Sequence, residues 1–334
     1  MDTYNINATF VPSVHGGTNN TTTIAKSTEK VFIEANTTEV RYRELKDEHI
    51  IPVFSATNEP LISHQELVDC VASVTRNWFQ DEVVLEPSIR VSHPIKGRIP
   101  DAKYKKASEL EVWEQTLFYE RMMFCIEVPS VVEMVGGNLL SLTVGAVKAY
   151  SEDNLYGKRP SGEQQFHLFV GFRNKVCCNM CVSTDGAKLD LKVKDLAQLE
   201  QNVYALLSQY NVNAHVEAMR KYTAIEINQS EFAQFIGKSR LYRYLTEEQR
   251  QNITPLYFGD QQMGAVAKDY FSDENFCSIE GDGKINLWRL YNLLTGVNKS
   301  TYVDQFLDRA INAQEIVLEI AKHKLGEKNS WYLV

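Results

Sequence analysis

The chain has 334 residues, 44% of them hydrophobic and 10% aromatic, with a formal net charge of −8 at pH 7. This is enough apolar material for one large or two ordinary domains, and the acidic balance excludes a globally basic nucleic-acid binder, so that any phosphate affinity must be local. The N-terminus has no basic segment leading into an apolar one, and no window approaches about 18 uninterrupted apolar residues; the expectation is a cytoplasmic protein with no membrane span.

In chain order, residues 1–45 open with a Thr/Asn-rich stretch (Asn19 to Thr23) and are expected to form a disordered or extended tail, because they offer too little apolar surface to offset ordering entropy. Ser63 and Glu66 have the spacing of a capping box. Leu67, Val71, Val74 and Trp78 then share a helical face, predicting a helix to about Phe79.

From Val83 to Thr184 the pattern changes to strands: VVLEPSIRVSH, TLFYERMMFCIEVP, LLSLTVGAVKAY and QFHLFVGFRNKVCCNMCVST, separated by Pro, Gly-Gly and Lys-Arg-Pro. These predict an antiparallel sheet of about four or more strands. Phe118, Glu120, Met122, Phe124 and Ile126 alternate with Tyr119, Arg121, Met123, Cys125 and Glu127, so both faces of that strand carry large apolar groups. Leu196, Leu199, Val203, Leu206, Leu207 and Tyr210 then predict a helix that covers the sheet.

From Ile225 onward the pattern is helical, with breaks expected at Gly237, near Pro255 and at Gly281 to Gly283. Ile285, Leu287, Trp288, Tyr291, Leu293 and Leu294 share one broad helical face. Gly296 is expected to close that helix in left-handed backbone, and Asn298, Lys299 and Ser300 to make a polar turn before Tyr302, Val303, Phe306 and Leu307 begin another helix. The fold class is therefore α+β: an α+β domain over 46–215 and a helical region over 216–334 packed on it.

Known chemistries fail on spacing. Cys178 and Cys181 are spaced as in a zinc or redox motif, but a structural zinc needs four ligands and Cys70, Cys125 and Cys277 stand apart, so the six cysteines are expected to be reduced thiols, mostly small buried hydrophobes. On a strand, alternation would put Cys177, Asn179 and Cys181 on one face and Cys178 with Met180 on the other. Gly237-Lys238-Ser239 resembles the end of a phosphate loop, yet Phe232 stands where that loop requires glycine. His93 and His167 fall on predicted strands with Glu120 and Glu127, without a spacing that signals acid-base work. No cofactor and no metal is implied.

Two stretches carry cations. Arg90, His93, Lys96, Arg98, Lys103, Tyr104, Lys105 and Lys106 form the most basic local patch, which Arg173 and Lys175 extend; cations interleaved with aromatics suit single-stranded nucleic acid, and a solvated loop is the plainer alternative. Gln229, Ala233 and Gly237 keep the Q-x3-A-x3-G spacing of a helix-turn-helix unit, with Lys238, Arg240 and Arg243 on or near its second helix. Arg243 occupies the position where that unit inserts an apolar residue.

Several blocks resemble an uncharacterised family: FIEANTTEV, IIPVFSATNEPLISHQE, IRVSHPIKGRIP, YERMMFCIEVPS, KVCCNMCVSTDG, FAQFIGKSRLYRYL and LWRLYNLLTGVNKSTYVDQFLDRAINA. Together they are similar to domain-of-unknown-function family 3871 of bacteria and phages, from about Val31 onward. KVCCNMCVSTDG and LYNLLTG are also loosely similar to the phage/plasmid-like proteins. The resemblance implies residence on phage or mobile DNA and brings no catalytic residue. The order helix, strands, helix is analogous to phage single-strand annealing recombinases, for which a homo-oligomer is expected. The leading expectation is a non-enzymatic phage or mobile-element protein that binds single-stranded DNA or RNA through the Arg90 to Lys106 patch. The alternative is an interaction factor acting on a host or element-encoded protein, without nucleic acid.

Overall fold

The computed structural model describes residues 31–47, 61–102, 105–153, 162–278 and 282–334, within one compact unit over Val31–Val334. In chain order its elements are β1 (Thr38–Val40), α1 (Tyr42–Asp47), α2 (His64–Trp78), β2 (Ser88–Val91), β3 (Pro94–Arg98), β4 (Gln115–Tyr119), β5 (Arg121–Val135), β6 (Asn138–Ala149), β7 (Gln164–Asn174) and β8 (Met180–Val193). They continue as α3 (Leu196–Gln209), α4 (Val212–Ala224), β9 (Glu226–Ile227), α5 (Gln229–Leu241), α6 (Glu247–Arg250), α7 (Asp260–Ser272), β10 (Ile285–Asn286), α8 (Leu287–Asn298) and α9 (Phe306–Lys324).

The fold is α+β, built on a six-stranded sheet in the order β1-β2-β5-β6-β7-β8 with every neighbour antiparallel. The capping box before α2 is present: Ser63 Oγ accepts from the Glu66 N–H at 3.0 Å and Glu66 accepts from the Ser63 N–H at 2.7 Å. Pro129, which has no N–H to pair, sits where β5 slips register against β6, between Val128 and Val132.

Both faces of the sheet are buried, which is why β5 reads apolar on both sides. Phe124, Ile126, Leu142, Val144, Leu168, Val170 and Phe172 pack with Leu67 and Val71 of α2, Leu199 and Val203 of α3 and Tyr222 of α4. Met123, Val147, Phe169, Met180 and Val182 pack with Phe306, Leu307, Ala310 and Ile311 of α9. The second half of α9, through Ile316, Val317 and Ile320, returns to the larger core, so this one helix joins the sheet to the helical cluster.

Several expectations are corrected. The part of the proposed tail over residues 1–30 lies outside the described residues, but residues 31–45 are folded: Phe32 and Ile33 are buried and β1 forms a sheet edge. Gly237 does not break its segment. α5 runs through it because Asn228 and Glu231 cap its start and Phe232, Phe235 and Ser239 anchor it, which outweighs the modest cost of an interior glycine. Gly296 likewise lies within the last turn of α8 in ordinary helical backbone, facing Asn179, and Lys299 ends the helix instead. The polar turn that follows is largely internal, with Asn298, Lys299 and Thr301 buried.

Candidate functional site

β3 and β4 leave the main sheet and pair with each other from Pro94↔Tyr119 to Arg98↔Gln115, forming a hairpin arm. The continuous strand expected through Phe118 to Glu127 therefore divides at Glu120: its first part builds the arm and its second the sheet. The base of the arm is fixed. His64 Nε2 lies 2.9 Å from the Tyr119 carbonyl, Tyr119 Oη donates to Glu44 at 3.3 Å, and Phe118 meets Tyr150 edge-on at 5.7 Å between centroids.

The tip is held by one buried carboxylate. Glu114 accepts from the Glu111 N–H at 2.9 Å and pairs with Lys105, which together hold its carboxyl below the usual range, while Ile99 N–H bonds the Glu114 carbonyl at 2.9 Å. Next to Glu114, Val112 is 86% exposed and Trp113 69%, with Leu117 of β4 also exposed. Sequence reasoning missed Trp113. Its signal was weak: an isolated aromatic among Glu109, Glu111 and Glu114, without the apolar alternation that a buried strand residue would share.

Among the described residues the predicted cations are spread over separate elements. Arg90 fastens the sheet edge, donating from Nε and Nη2 to Thr37 Oγ1 and O at 2.9 Å each, and burial pushes its guanidinium down. His93 is exposed between β2 and β3, Lys96 and Arg98 fall on β3, and Lys106 is exposed at the tip. Lys103 and Tyr104 lie outside the described residues. Arg173 and Lys175 share Glu127. The sheet register aligns Arg90 with Met123, Val147 and His167 in turn, so Arg173, further along the strand that carries His167, sits roughly 20 Å down the sheet from Arg90, away from the arm. Arg173 and Lys175 therefore do not extend the patch.

In the helical region Lys238 donates to the Val334 carbonyl and lies 4.9 Å from the Trp331 ring centre, Arg240 is exposed, and Arg243 pairs with Asp260 at 2.9 Å. With no turn at Gly237, Lys238 and Arg240 belong to the same helix as Gln229, and the helix-turn-helix arrangement is absent.

The imidazole–carboxylate pairing is also different from that considered. His167 meets Glu152 at 2.9 Å, whereas Glu120 accepts from the Ser151 N–H and Glu127 from Lys175. Cys177 and Cys181 share the larger core and Met180 the smaller, as alternation expects, although residues 175–179 form a turn in which Cys178 has φ 60°. Among the described residues no group of three or more His, Cys, Asp or Glu side chains could hold a metal ion, and no helix is long and apolar enough to cross a membrane. An open cleft of about 320 Å³ between Tyr257 and the start of α9 is lined by Gln305, Asp308 and Arg309.

No curated protein and no solved structure matches this chain. A family model does, that of "Domain of unknown function, B. Theta Gene description" (DUF3871), over residues 18–333. The match takes in the arm, the six-stranded sheet and the helical cluster alike, and the chain therefore belongs to this family of unknown function.

Proposed function

We propose that the chain is a non-enzymatic interaction factor that seats the tip of its β3–β4 arm in an apolar pocket of a partner protein. The observation that carries this reading is the exposure of Val112 and Trp113 on a tip whose backbone is locked by Glu114. A large aromatic held out in water beside a hydrogen-bonded turn is poised to bury its area at small further entropy cost, and Trp is enriched among residues that dominate binding energy. The surrounding charge is mixed, Lys105 and Lys106 against Glu109, Glu111 and Glu114, which suits a protein rim better than a phosphate backbone. The likeness of KVCCNMCVSTDG and LYNLLTG to phage/plasmid-like proteins supports a partner encoded by a mobile element or its host.

A second reading, single-stranded nucleic acid stacked on Trp113 with phosphates on Lys105 and Lys106, rests on the same tip. The net charge of −8 and the carboxylates paired to Arg173, Lys175 and Arg243 weigh against it. The deciding experiment compares the intact chain with a Val112→Ser/Trp113→Ala variant in affinity capture from host cells, followed by titration of the captured protein in purified form, and titrates a labelled single-stranded oligonucleotide in parallel. A stoichiometric protein partner lost in the variant supports the arm reading. Salt-sensitive oligonucleotide binding, with no such partner, replaces it by the nucleic-acid reading.

A further inference from the structure

The cleft between Tyr257 and the start of α9 holds two opposite charges that lack a close partner. Asp308 and Arg309, successive residues of α9 and each half-buried, both line this opening of about 320 Å³. Among the described residues they form no ion pair, either with each other or with a third side chain, because the charges around them are committed elsewhere: Asp304 to Arg121 at 3.4 Å and His167 to Glu152 at 2.9 Å. Arg309 meets neutral acceptors, Nη1 donating to Thr301 Oγ1 at 2.8 Å and Nη2 to Gln305 Oε1 at 3.0 Å, which leaves its Nε and a second hydrogen on each Nη uncommitted.

Burial is accordingly the largest influence on both groups, raising the Asp308 carboxyl above its ordinary range and lowering the Arg309 guanidinium. A half-buried charge without a counter-charge in contact is costly, and a ligand that supplies the missing partner recovers that cost on binding. The facing wall is aromatic. Tyr257 is 49% exposed, and Asn312 holds its main chain, Oδ1 accepting from the Tyr257 N–H at 2.9 Å and Nδ2 donating to the Pro255 carbonyl at 2.7 Å. Burial, with the Glu315 and Asp308 carboxylates, pushes the Tyr257 phenol up, so it stays uncharged and able to donate.

We propose that this cleft binds a free α-amino acid, its carboxylate on Arg309, its ammonium on Asp308 and its side chain along the Tyr257 ring. A guanidinium and a carboxylate without partners call for a ligand that carries both signs of charge, and in an α-amino acid the two groups sit on one carbon, where side chains at successive positions of one helix meet them together. An aromatic or large aliphatic side chain gains most from the exposed ring. The volume, at the low end for ligand clefts, suits a molecule of this size. The site is independent of the β3–β4 arm and stands whether or not the arm binds a protein.

The test is isothermal titration calorimetry of the full chain with each of the common L-amino acids at millimolar concentration, with guanosine as a planar control, followed by the N-acetyl and methyl-ester forms of the tightest ligand. Saturable binding of at least one of L-phenylalanine, L-tyrosine and L-leucine is expected, and blocking either charged group should weaken it by about tenfold or more. Asp308→Asn should weaken the free amino acid by a similar factor and leave the N-acetyl form, which has no ammonium, unchanged; Arg309→Gln should do the same for the free amino acid against the methyl ester. Absence of binding by every amino acid, whether or not guanosine binds, overturns the proposal, as does equal affinity for the free and blocked forms. The blocked ligands decide this on the unsubstituted chain, whether or not the variants fold.

Discussion

Trp288 donates from Nε1 to Asn138 Oδ1 at 2.9 Å across 150 residues of sequence, pinning the start of α8 to the turn between β5 and β6. The same indole lies over Gly136, where a methyl group would come within 2.4 Å of Trp288 Cδ1 and where φ is 56°. Only glycine satisfies both the backbone and the ring here.

Gly136→Ala is therefore expected to destabilise the chain by about 2–4 kcal/mol through clash and left-handed strain together. Asn138→Ala, which leaves the buried indole N–H without its acceptor, is expected to cost about 1–3 kcal/mol. Chemical denaturation of both variants checks the order; Gly136→Ala as stable as the parent chain would show that the indole can move aside.

Lys148 and Asp153 form an ion pair at 2.5 Å with both side chains removed from solvent, and the Lys148 ammonium also donates to the Gln165 carbonyl at 3.0 Å and lies 4.3 Å from the Phe166 ring centre. Lys148→Met strands a buried carboxylate and is expected to cost about 3–5 kcal/mol, while Lys148→Met/Asp153→Leu recovers a large part of that loss. A double variant as unstable as the single one would mean that packing around Lys148, rather than charge, carries the effect.

Two buried histidines set opposite pH limits. Burial pushes His215 down to about 4, with its Nδ1 accepting from Tyr210 Oη at 2.7 Å. Its folded value is below its ordinary one, so its contribution is whole above about pH 6.5 and falls by about 3 kcal/mol as pH drops toward 4. Burial alone would push His167 down as well, but the hydrogen bond and charge of Glu152, with Asp308 and Asp190 beyond, outweigh it and raise the imidazole above its ordinary value. That contribution is whole below about pH 6.5 and is lost as pH rises through the folded value. Unfolding free energy measured against pH should lose its alkaline-side decline in His167→Gln and keep the acid-side one.

The arm variant Val112→Ser/Trp113→Ala removes two exposed side chains and should melt within about 0.5 kcal/mol of the parent chain. A larger loss would place the Trp113 ring in the stability of the tip and not in recognition.

Local order was legible in the sequence because its causes are local. The capping box at Ser63 and Glu66, the helical face from Leu196 and the two-faced alternation of β5 each depend on residues within a turn or two of one another, and all three stand in the structure, although Leu196 itself is exposed and the buried face begins at Leu199. The α+β class followed from the same signals. Helix ends at Gly237 and Gly296 were misplaced because packing of Phe232 and Phe235, or of Asn179 against α8, outweighs the weak preference of a single glycine.

What a charged or aromatic side chain is available to do was decided only by the tertiary structure. Arg90 meets Thr37, Arg173 meets Glu127 and Cys178, and Trp288 meets Asn138 through sheet register and helix docking, contacts whose partners no spacing rule connects. The exposure of Trp113 has the same origin: the chain leaves the main sheet at Ser92 and rejoins it at Arg121, and the indole projects from the arm formed between those points. Hydrophobic pattern records which side chains are able to be buried, and the meeting of distant elements determines which of them are.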